Sequence, residues 1–391
     1  MVLPNRNSTM RVLLILKHLS GNNGWSRYGR DLAQQLDSKG HEVICLVHQE
    51  INFYLEQRQV LGSPSQYFAN PLRSYNDAQK VRKAIVDLSP DIVHFLVEPY
   101  LAILPFLRVK NCQIILTIHG TYAFVPNLLA HKSFKRTNSS LIFKYAYNKV
   151  DNIISVSNHT KRYFLDCFPK SQRNRMAEKL TVITNGIDLQ NQNKIYPAKK
   201  SENIAKQILF VGAVKQRKGL LEAIEALKIY KESYSNKFMY NIAGTYANNK
   251  EYVAKLKHKI SEYGLEKNVV FYGEVSEEKI EELYNQAHLF LMLPVQEGQK
   301  FEGFGLVYLE ANARGVPCIG SKYFGIPEAI KNGETGYLID PNNPPEIAEK
   351  IDRVLNRKTI SSKPCLNWAK QNNFAFKADQ ILQLYERANK T

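Results

Sequence analysis

Two glutamates separated by seven residues, Glu302 and Glu310, lie in a glycine-bearing and otherwise apolar segment. The largely apolar run 304–313 predicts a buried helix, with Glu302 just ahead of it and Glu310 about two turns inside it. A buried carboxylate is costly unless a partner bonds to it, and the two hydroxyls of a ribose are such a partner. Gly303 and Gly305 let a ligand approach the backbone, and the free N–H groups and dipole of a helix start favour a phosphate. The segment therefore predicts a nucleotide site.

A plainer interpretation of the two glutamates stays open at this point. Glu302 would then be a carboxylate favoured by the helix dipole, and Glu310 a partly exposed residue paired with Arg314 one turn further on. The flanking glycines and the apolar surroundings favour the ligand site.

A basic turn stands at the start of the same half of the chain. Arg217, Lys218 and Gly219 follow the apolar run 208–211, which is typical of a strand. An ammonium group there reaches a ligand as a point charge, and the guanidinium of Arg217 adds a forked contact. Alone, such a turn is typical of a solvated surface, but beside the two glutamates it favours anion binding.

These residues need a scaffold, which alternating apolar runs and helical patterns provide. Such alternation indicates parallel, doubly wound sheets. The pattern occurs once before and once after a polar, lysine-rich stretch. Strands are predicted at 11–16, 41–47, 92–95, 114–118, 153–156, 180–183, 208–211, 239–243, 269–272, 289–293, 318–320 and 337–339, and helices at 220–230, 304–313 and 374–387.

The chain of 391 residues is therefore expected to fold as two α/β domains. The first spans 10–190, a linker spans 191–207, the second spans 208–373, and 374–391 is a terminal helix. Because doubly wound sheets bind ligands at the carboxyl ends of their strands, we expect the function in a cleft shared by the two sheets.

Composition excludes several classes of protein. Apolar residues make up 44% and charged residues 23%, as in globular proteins, and no apolar run approaches the ~20 residues of a membrane span. The polar start and five scattered cysteines indicate neither a secretory signal nor a disulfide framework, which predicts a soluble, cytoplasmic protein. The sequence has no CxxC pair and no histidine cluster, so a zinc site is not expected.

The formal net charge of +17 calls for an anionic partner or a solvated basic face. The stretch 101–150 has no acidic residue, and a further basic patch follows at Lys170, Arg173, Arg175 and Lys179. Docking on an anionic membrane surface, at its inner face, would gain about 1 kcal/mol per cation. Nucleic acid is not an expected partner, because no RNA-binding or zinc-finger module is recognisable. The cations of the stretch are Arg108, Lys110, Lys132, Lys135, Arg136, Lys144 and Lys149.

Segment 301–340 resembles the donor-site signature of the retaining glycosyltransferases of family 4, in which two glutamates are separated by seven residues. The resemblance covers nearly the whole chain, since the family also has a glycine loop after the first strand, a TxH turn, an NGxD turn and a basic KG turn. It implies the GT-B fold, in which two Rossmann-like domains face a central cleft, the first for the acceptor and the second for the nucleotide-sugar donor. The matching turns here are 21–24, 117–120, 185–188 and 217–219.

The resemblance also implies roles for single residues of the second domain. Glu302 would contact the donor sugar, Glu310 would bind the ribose hydroxyls, and Lys218 would neutralise the diphosphate. The further expected donor contacts are Gly24, Arg217, Gly303, Phe304, Gly305 and Leu306.

In the first domain the resemblance singles out His119, which follows the predicted strand 114–118 and is implied to touch the donor sugar near the reacting carbon. A lone histidine at a strand end is often structural, but Thr117 and Gly120 beside it favour the catalytic role. His18 and His94 are expected to be structural.

Two departures from the family pattern affect these expectations. Many members have arginine directly after the glycine that ends the first strand of the second domain, whereas Gly212 is followed here by Ala213. Arg217 or Lys215 is expected to supply that charge. The loop that often has two glycines before IPE has Phe324 in place of the first, and this ring either narrows the sugar pocket or faces away.

The chemistry expected is metal-independent transfer of a sugar. The leaving nucleoside diphosphate needs positive charge, which Lys218 and Arg217 supply, and the sequence has no Asp-x-Asp pair to hold a metal. The resemblance implies retention, and without an identifiable nucleophile we expect front-face attack assisted by the departing phosphate. UDP-sugar is the expected donor, and a saccharide or lipid-linked molecule in cell-surface glycan synthesis the expected acceptor.

Three alternatives remain open on the sequence. The same fold serves a nucleotide-sugar epimerase, which a donor incubated alone would reveal, and a glycan phosphorylase, although nothing here resembles a pyridoxal-phosphate lysine setting. The chain is otherwise an inactive basic adaptor for membrane or acidic polymer, against which the intact Glu302, Glu310, Lys218 and His119 argue.

Overall fold

The computed structural model describes residues 9–20, 24–68, 70–107, 111–120, 143, 145–189, 205–247 and 249–388. The chain forms two compact units, Met1–Asn185 with Phe374–Thr391, and Gly186–Asn373. The terminal helix therefore belongs to the first unit, and the division lies five residues before the expected edge at 190. The predicted linker up to residue 204 and the loops 21–23 and 121–135 lie outside the described residues.

The first unit is built on a parallel sheet of seven strands in the order β3-β2-β1-β4-β5-β6-β7. Its inner strands are almost wholly apolar and buried, as strands covered on both faces must be. The strands are β1 (Arg11–Ile15), β2 (Glu42–Val47), β3 (Glu56–Gln59), β4 (Ile92–Phe95), β5 (Gln113–Ile118), β6 (Asn152–Ser155) and β7 (Leu180–Val182).

The second unit has a parallel sheet of six strands in the order β10-β9-β8-β11-β12-β13. These strands are β8 (Lys206–Val211), β9 (Phe238–Ala243), β10 (Val269–Gly273), β11 (Leu289–Leu291), β12 (Cys318–Ser321) and β13 (Gly336–Ile339). Strand β8 begins two residues inside the expected linker. The fold class, two doubly wound α/β units, is confirmed.

Helices connect the strands and cover the sheets. Local sequence explains their ends: the side chain of Asn70 accepts the N–H of Arg73 and Pro71 opens the first turn of α2. The helices of the described residues are α1 (Gly24–Ser38), α2 (Pro71–Leu88), α3 (Asn158–Asp166), α4 (Lys170–Glu178), α5 (Leu220–Ser233), α6 (Lys250–Glu262), α7 (Glu277–Gln286), α8 (Leu306–Asn312), α9 (Pro344–Leu355), α10 (Ser362–Gln371) and α11 (Phe374–Ala388). Within the described ranges, no helix is long and apolar enough to cross a membrane.

Strand order reverses once in each sheet, and this sets where ligands bind. Strand β1 lies between β2 and β4, and β8 lies between β9 and β11. In doubly wound sheets the ligand crevice opens at the carboxyl ends of the strands at such a reversal. The chain leaving β8 leads to Lys218 and the chain leaving β11 leads to Glu302, so both predicted donor residues follow strands of the reversal point.

Candidate active site

The basic turn after β8, Gln216–Lys218, is held against the chain that leaves β11. It ends at Gly219, whose φ of 71° lies in the left-handed region that favours glycine. A Cβ at Gly219 would lie 1.7 Å from the carbonyl oxygen of Leu293. The carbonyl of Arg217 accepts the N–H of Val295 at 3.0 Å. The close packing of Gly219 and this hydrogen bond therefore fix the position of the turn at the carboxyl end of the sheet.

Glu302 binds both cations of that turn. Its Oε2 accepts from Nη1 of Arg217 and from Nζ of Lys218, each at 2.7 Å. Burial disfavours the charged carboxylate, but the charges of Lys218 and Arg217 outweigh this effect and lower the pKa of Glu302 to about 2. Burial also lowers the pKa of Lys218, against the opposing effect of Glu302. Glu302 is therefore ionised at neutral pH and neutralises part of a buried positive cluster.

Glu310 lies inside α8 and is only 6% exposed. Its Oε2 accepts the hydroxyl proton of Tyr284 at 2.9 Å. Arg314 pairs with Glu281 and donates from Nη1 to the main-chain oxygen of Glu310 at 2.7 Å. Glu310 is therefore buried rather than partly exposed as the plainer interpretation had it, and the bond described from Arg314 goes to its main-chain oxygen. Tyr284 was missed by sequence reasoning, because a tyrosine 26 positions away gives no local signal.

The glycines around Glu302 shape the start of α8. Gly305 has a φ of 87°, and a Cβ there would lie 2.6 Å from the ring of Tyr308. This left-handed residue delays the helix to Leu306, so the predicted start at Phe304 is wrong, and Phe304 is instead a buried residue of the preceding loop. Glu302 therefore lies four positions before the helix and its bonds go to the two cations rather than to the helix start.

His119 follows β5, and its main-chain N–H donates to Oε1 of Glu98 at 2.6 Å. Glu98 follows the neighbouring strand β4 and is fully buried. Burial raises the pKa of Glu98 to about 7, against the lowering effect of the N–H groups of His119 and Gly120. Among the described residues, Oε2 of Glu98 has no hydrogen-bond partner. Sequence reasoning missed Glu98, although an acidic residue directly after an apolar strand was a usable signal.

The imidazole of His119 is held neutral. Burial lowers its pKa to about 4, against a hydrogen bond with the main chain of Leu96. Its Nε2 is buried and has no hydrogen-bond partner within the described part of the chain. The ring of Tyr28 packs edge-on against it, with centroids 4.9 Å apart. A neutral imidazole with a free ring nitrogen can bind a ligand hydroxyl.

Thr117, by contrast, faces a structural histidine. Its hydroxyl bonds Nε2 of His94 at 2.8 Å, and Nδ1 of His94 bonds the hydroxyl of Tyr385 at 2.6 Å. His18 similarly bonds the hydroxyls of Ser20 and Ser26 through Nδ1. His94 is fully buried and bonded at both ring nitrogens, as a structural histidine would be, and it ties α11 to the first sheet, whereas the structural role of His18 stays a prediction.

Gly24 is the first residue of α1, which follows β1. A Cβ built there meets no heavy atom of the described residues within 4 Å. No group of three or more His, Cys, Asp or Glu able to hold a metal ion occurs among the residues that the structure describes. Metal independence stays a prediction.

Comparisons with known proteins follow the same division of the chain. A family model described as Glycosyltransferase Family 4 matches residues 22–191, and one described as Glycosyl transferases group 1 matches residues 191–373. An uncharacterized glycosyltransferase of Methanocaldococcus jannaschii is 32% identical over 52% of this chain and 50% of its own length. The amylovoran biosynthesis glycosyltransferase AmsK of Erwinia amylovora is 32% identical over 46% of this chain and 42% of its own length. This chain thus spans half or less of both relatives.

The fold agrees with solved structures. The crystal structure of Anabaena HepE in complex with UDP-glucose has a TM-score of 0.73 at 18% identity, covering 97% of this chain and 100% of that one. At this level of identity the likeness shows the fold alone, which is the GT-B fold.

Replacing Gly219 with alanine should destabilise the second unit by roughly 3 kcal/mol, since a Cβ would meet the Leu293 carbonyl in addition to the left-handed strain. Gly333→Ala is the matched control, because Gly333 has a φ of 80° and open space around its Cβ position. That control should cost about 1 kcal/mol, the strain alone. Urea unfolding measures both, and equal losses would contradict the proposed close packing of the turn.

Replacing Glu98 with glutamine should change how stability depends on pH. The folded state raises the pKa of Glu98 from 4.5 to about 7, so it binds the proton more tightly and the wild type loses stability as pH rises through this window. The loss relative to the variant should reach roughly 3 kcal/mol. Urea unfolding of both proteins from about pH 4.5 to about pH 8 measures this difference. The lowered pKa of His119 changes stability with pH in the opposite direction, but this contribution is common to both proteins and cancels in the difference. Parallel pH profiles would show that Glu98 ionises normally.

Proposed function

The chain belongs to the glycosyl transferases group 1, with an amino-terminal half of Glycosyltransferase Family 4, and we propose that it transfers a sugar from UDP-sugar to a saccharide or lipid-linked acceptor with retention of configuration. It is accordingly a glycosyltransferase enzyme. The observation that carries the proposal is the cluster of Arg217, Lys218 and Glu302 at the carboxyl end of the second sheet, in which Lys218 is buried and the other two are half-buried.

The cluster suits the departure of a nucleoside diphosphate. Breaking the glycosidic bond leaves negative charge on the phosphate, and fixed cations in a buried site stabilise it strongly. Lys218 has three N–H donors, of which the bond to Glu302 occupies one, and the guanidinium of Arg217 adds a second positive charge beside it. These two cations take the role that a divalent ion has in other transferases, and we propose that no metal is needed.

Glu310 is placed to bind the ribose of the donor. Its carboxylate is buried and oriented by the hydroxyl of Tyr284, which occupies Oε2. Oxygens of a buried carboxylate accept the two adjacent ribose hydroxyls in the way that the sequence predicted. Glu302 would then contact the sugar beside the diphosphate, with Gly303, Phe304, Gly305 and Leu306 forming the backbone of the donor site.

His119 contributes a hydrogen bond rather than a charge. Because its pKa is about 4, the ring is neutral at pH 7, and its buried Nε2 has no hydrogen-bond partner among the described residues. We propose that it orients the donor sugar near the reacting carbon, and that Gly24 lets the same ligand approach the start of α1. The acceptor hydroxyl attacks from the face of the leaving group, whose phosphate oxygen takes its proton.

Uridine as the donor base and polysaccharide synthesis as the setting are supported by the relatives. HepE is solved in complex with UDP-glucose, and AmsK is named for amylovoran biosynthesis. None of the five cysteines, all of which the structure describes, is in a disulfide, which agrees with the proposed cytoplasmic location.

Membrane docking of the basic residues is the weaker part of the proposal. Most cations of 101–150 lie outside the described residues, but Lys149 donates to the carbonyls of Leu104, Pro105 and Leu107 and so has a structural task. Arg173 pairs with Asp166 and Lys179 donates to the main chain. Lys170 and Arg175 of α4 are the cations of the second patch left for an anionic surface.

A thermal-shift screen with UDP-, GDP- and ADP-sugars, with and without EDTA, tests the donor site. We expect UDP-sugar to raise Tm in EDTA, with about 2.7 kcal/mol of stabilisation at about 100 times Kd. Glu310→Ala should lose most of this gain, while Glu281→Ala, which removes a nearby carboxylate bound to Arg314, should keep it. A screen without any nucleotide response would favour the basic adaptor instead.

The stereochemical course is tested by the anomeric configuration of the product. An α-linked UDP-sugar should give an α-linked product, measured by NMR of the anomeric proton and its coupling. A β-linked product would rule out the front-face mechanism, and conversion of the donor without any acceptor would indicate an epimerase.

A further inference from the structure

A bulky aromatic residue occupies a backbone conformation that normally requires glycine. Phe324 has a φ of 63°, in the left-handed region where a side chain of this size is a genuine outlier. The other non-glycine residues with positive φ among those described are Ser89, Asn111 and Lys358, which are smaller or flexible. Strain of this kind persists only where the surroundings enforce it, and it concentrates at ligand sites.

The strained residue lies directly beside the proposed sugar contact. Gly325 packs on the backbone of Gly303, since a Cβ on Gly325 would lie 1.9 Å from the Gly303 oxygen. The N–H of Gly325 donates to the main-chain oxygen of Glu302 at 3.2 Å. The loop that carries Phe324 is therefore attached to the two residues that the proposed function places against the donor sugar.

Ring packing offsets the strain. The ring of Phe324 stacks on that of Phe301, with centroids 6.3 Å apart and planes 21° apart, an arrangement typical of favourable aromatic pairs. Phe301 precedes Glu302 and is 6% exposed, whereas Phe324 is half-buried and keeps accessible surface. The pair therefore forms an apolar surface on the loop that is bonded to the backbone of Glu302.

We propose that Phe324 is a specificity-determining residue of the donor sugar site: its ring limits the sugar to a compact hexose and excludes one with an N-acetyl substituent. This inference rests on the proposed function. The left-handed backbone of Phe324 fixes the direction of its ring, and stacking against Phe301 keeps the ring in that position. An apolar surface of this kind discriminates between sugars by their size. One extra or missing methylene group in a hydrophobic pocket changes the preference between two substrates by about 10-fold to 200-fold.

Two substitutions separate the ring from the strain. Phe324→Ala removes the ring and keeps a side chain at positive φ, while Phe324→Gly removes both. Lys358→Gly is the matched control, because it relieves a left-handed backbone at φ 49° in a different loop, after α9. We expect Phe324→Gly to melt higher than Phe324→Ala, the reverse of the usual order of glycine and alanine.

Binding measures specificity without knowledge of the acceptor. Kd values for UDP, UDP-glucose and UDP-N-acetylglucosamine are determined by calorimetry for the wild type and the three variants. The wild type should bind UDP-glucose more tightly, and both Phe324 variants should shift the ratio of the two sugar nucleotides at least about tenfold towards the N-acetyl sugar. Lys358→Gly should keep the wild-type ratio, and all four proteins should bind UDP alone equally.

The outcomes separate this inference from the proposed function. A wild type that does not bind UDP overturns both. Normal UDP binding with an unchanged ratio in Phe324→Ala and Phe324→Gly overturns the role of Phe324 alone. A wild type that binds UDP-N-acetylglucosamine more tightly than UDP-glucose also overturns the role of Phe324 alone, since the ring then does not exclude the N-acetyl substituent.

Discussion

The structure depends on one shared hydrogen-bond acceptor: Oε2 of Glu302, which binds Arg217 and Lys218 at 2.7 Å each. Two cations on consecutive residues repel each other, and burying them is costly unless a carboxylate lies between them. Bringing that carboxylate there requires the Gly219 turn to press against the chain after β11. It also requires Gly305 to delay the helix, so that Glu302 stays in a loop that can reach the turn. The arrangement of strands, turns and glycines thus serves one electrostatic requirement.

The residues around Glu302 and those around His119 differ in how burial affects their charge. In the second unit Glu302 is ionised and its pKa lies far below neutral, since the cations outweigh burial. Around His119, in the first unit, burial dominates, so His94 and His119 are uncharged and the pKa of Glu98 is raised to about 7. A charged site suits a diphosphate, whereas a neutral one suits hydroxyl groups. The electrostatics therefore agree with a division of labour in which the donor phosphates bind to the second unit.

The sequence predicted the strands well because buried parallel strands are continuous apolar runs, and those runs stand between helices. Strand β3 was missed since its four residues are polar and lie at the sheet edge. The early start assigned to α8 arose from Phe304, whose apolar character indicated a helix, whereas Gly305 decides the backbone. Sequence reasoning missed Glu98, which bonds His119, and Tyr284, which bonds Glu310. The partners in each pair are distant in the chain, and only folding brings them together.

The cation missing at Ala213 shows what the site requires. Of the two proposed replacements, Arg217 reaches Glu302, while burial and the charges of Arg217 and Lys300 lower the pKa of Lys215. Arg217 and Lys218 are neighbours in one turn, and Gly219 fixes the position of that turn. The two cations are therefore positioned together. On the proposed function, a diphosphate needs two cations at the carboxyl end of β8 and not an arginine at a given position. On that function, the turn supplies both cations although the family pattern is broken at Ala213.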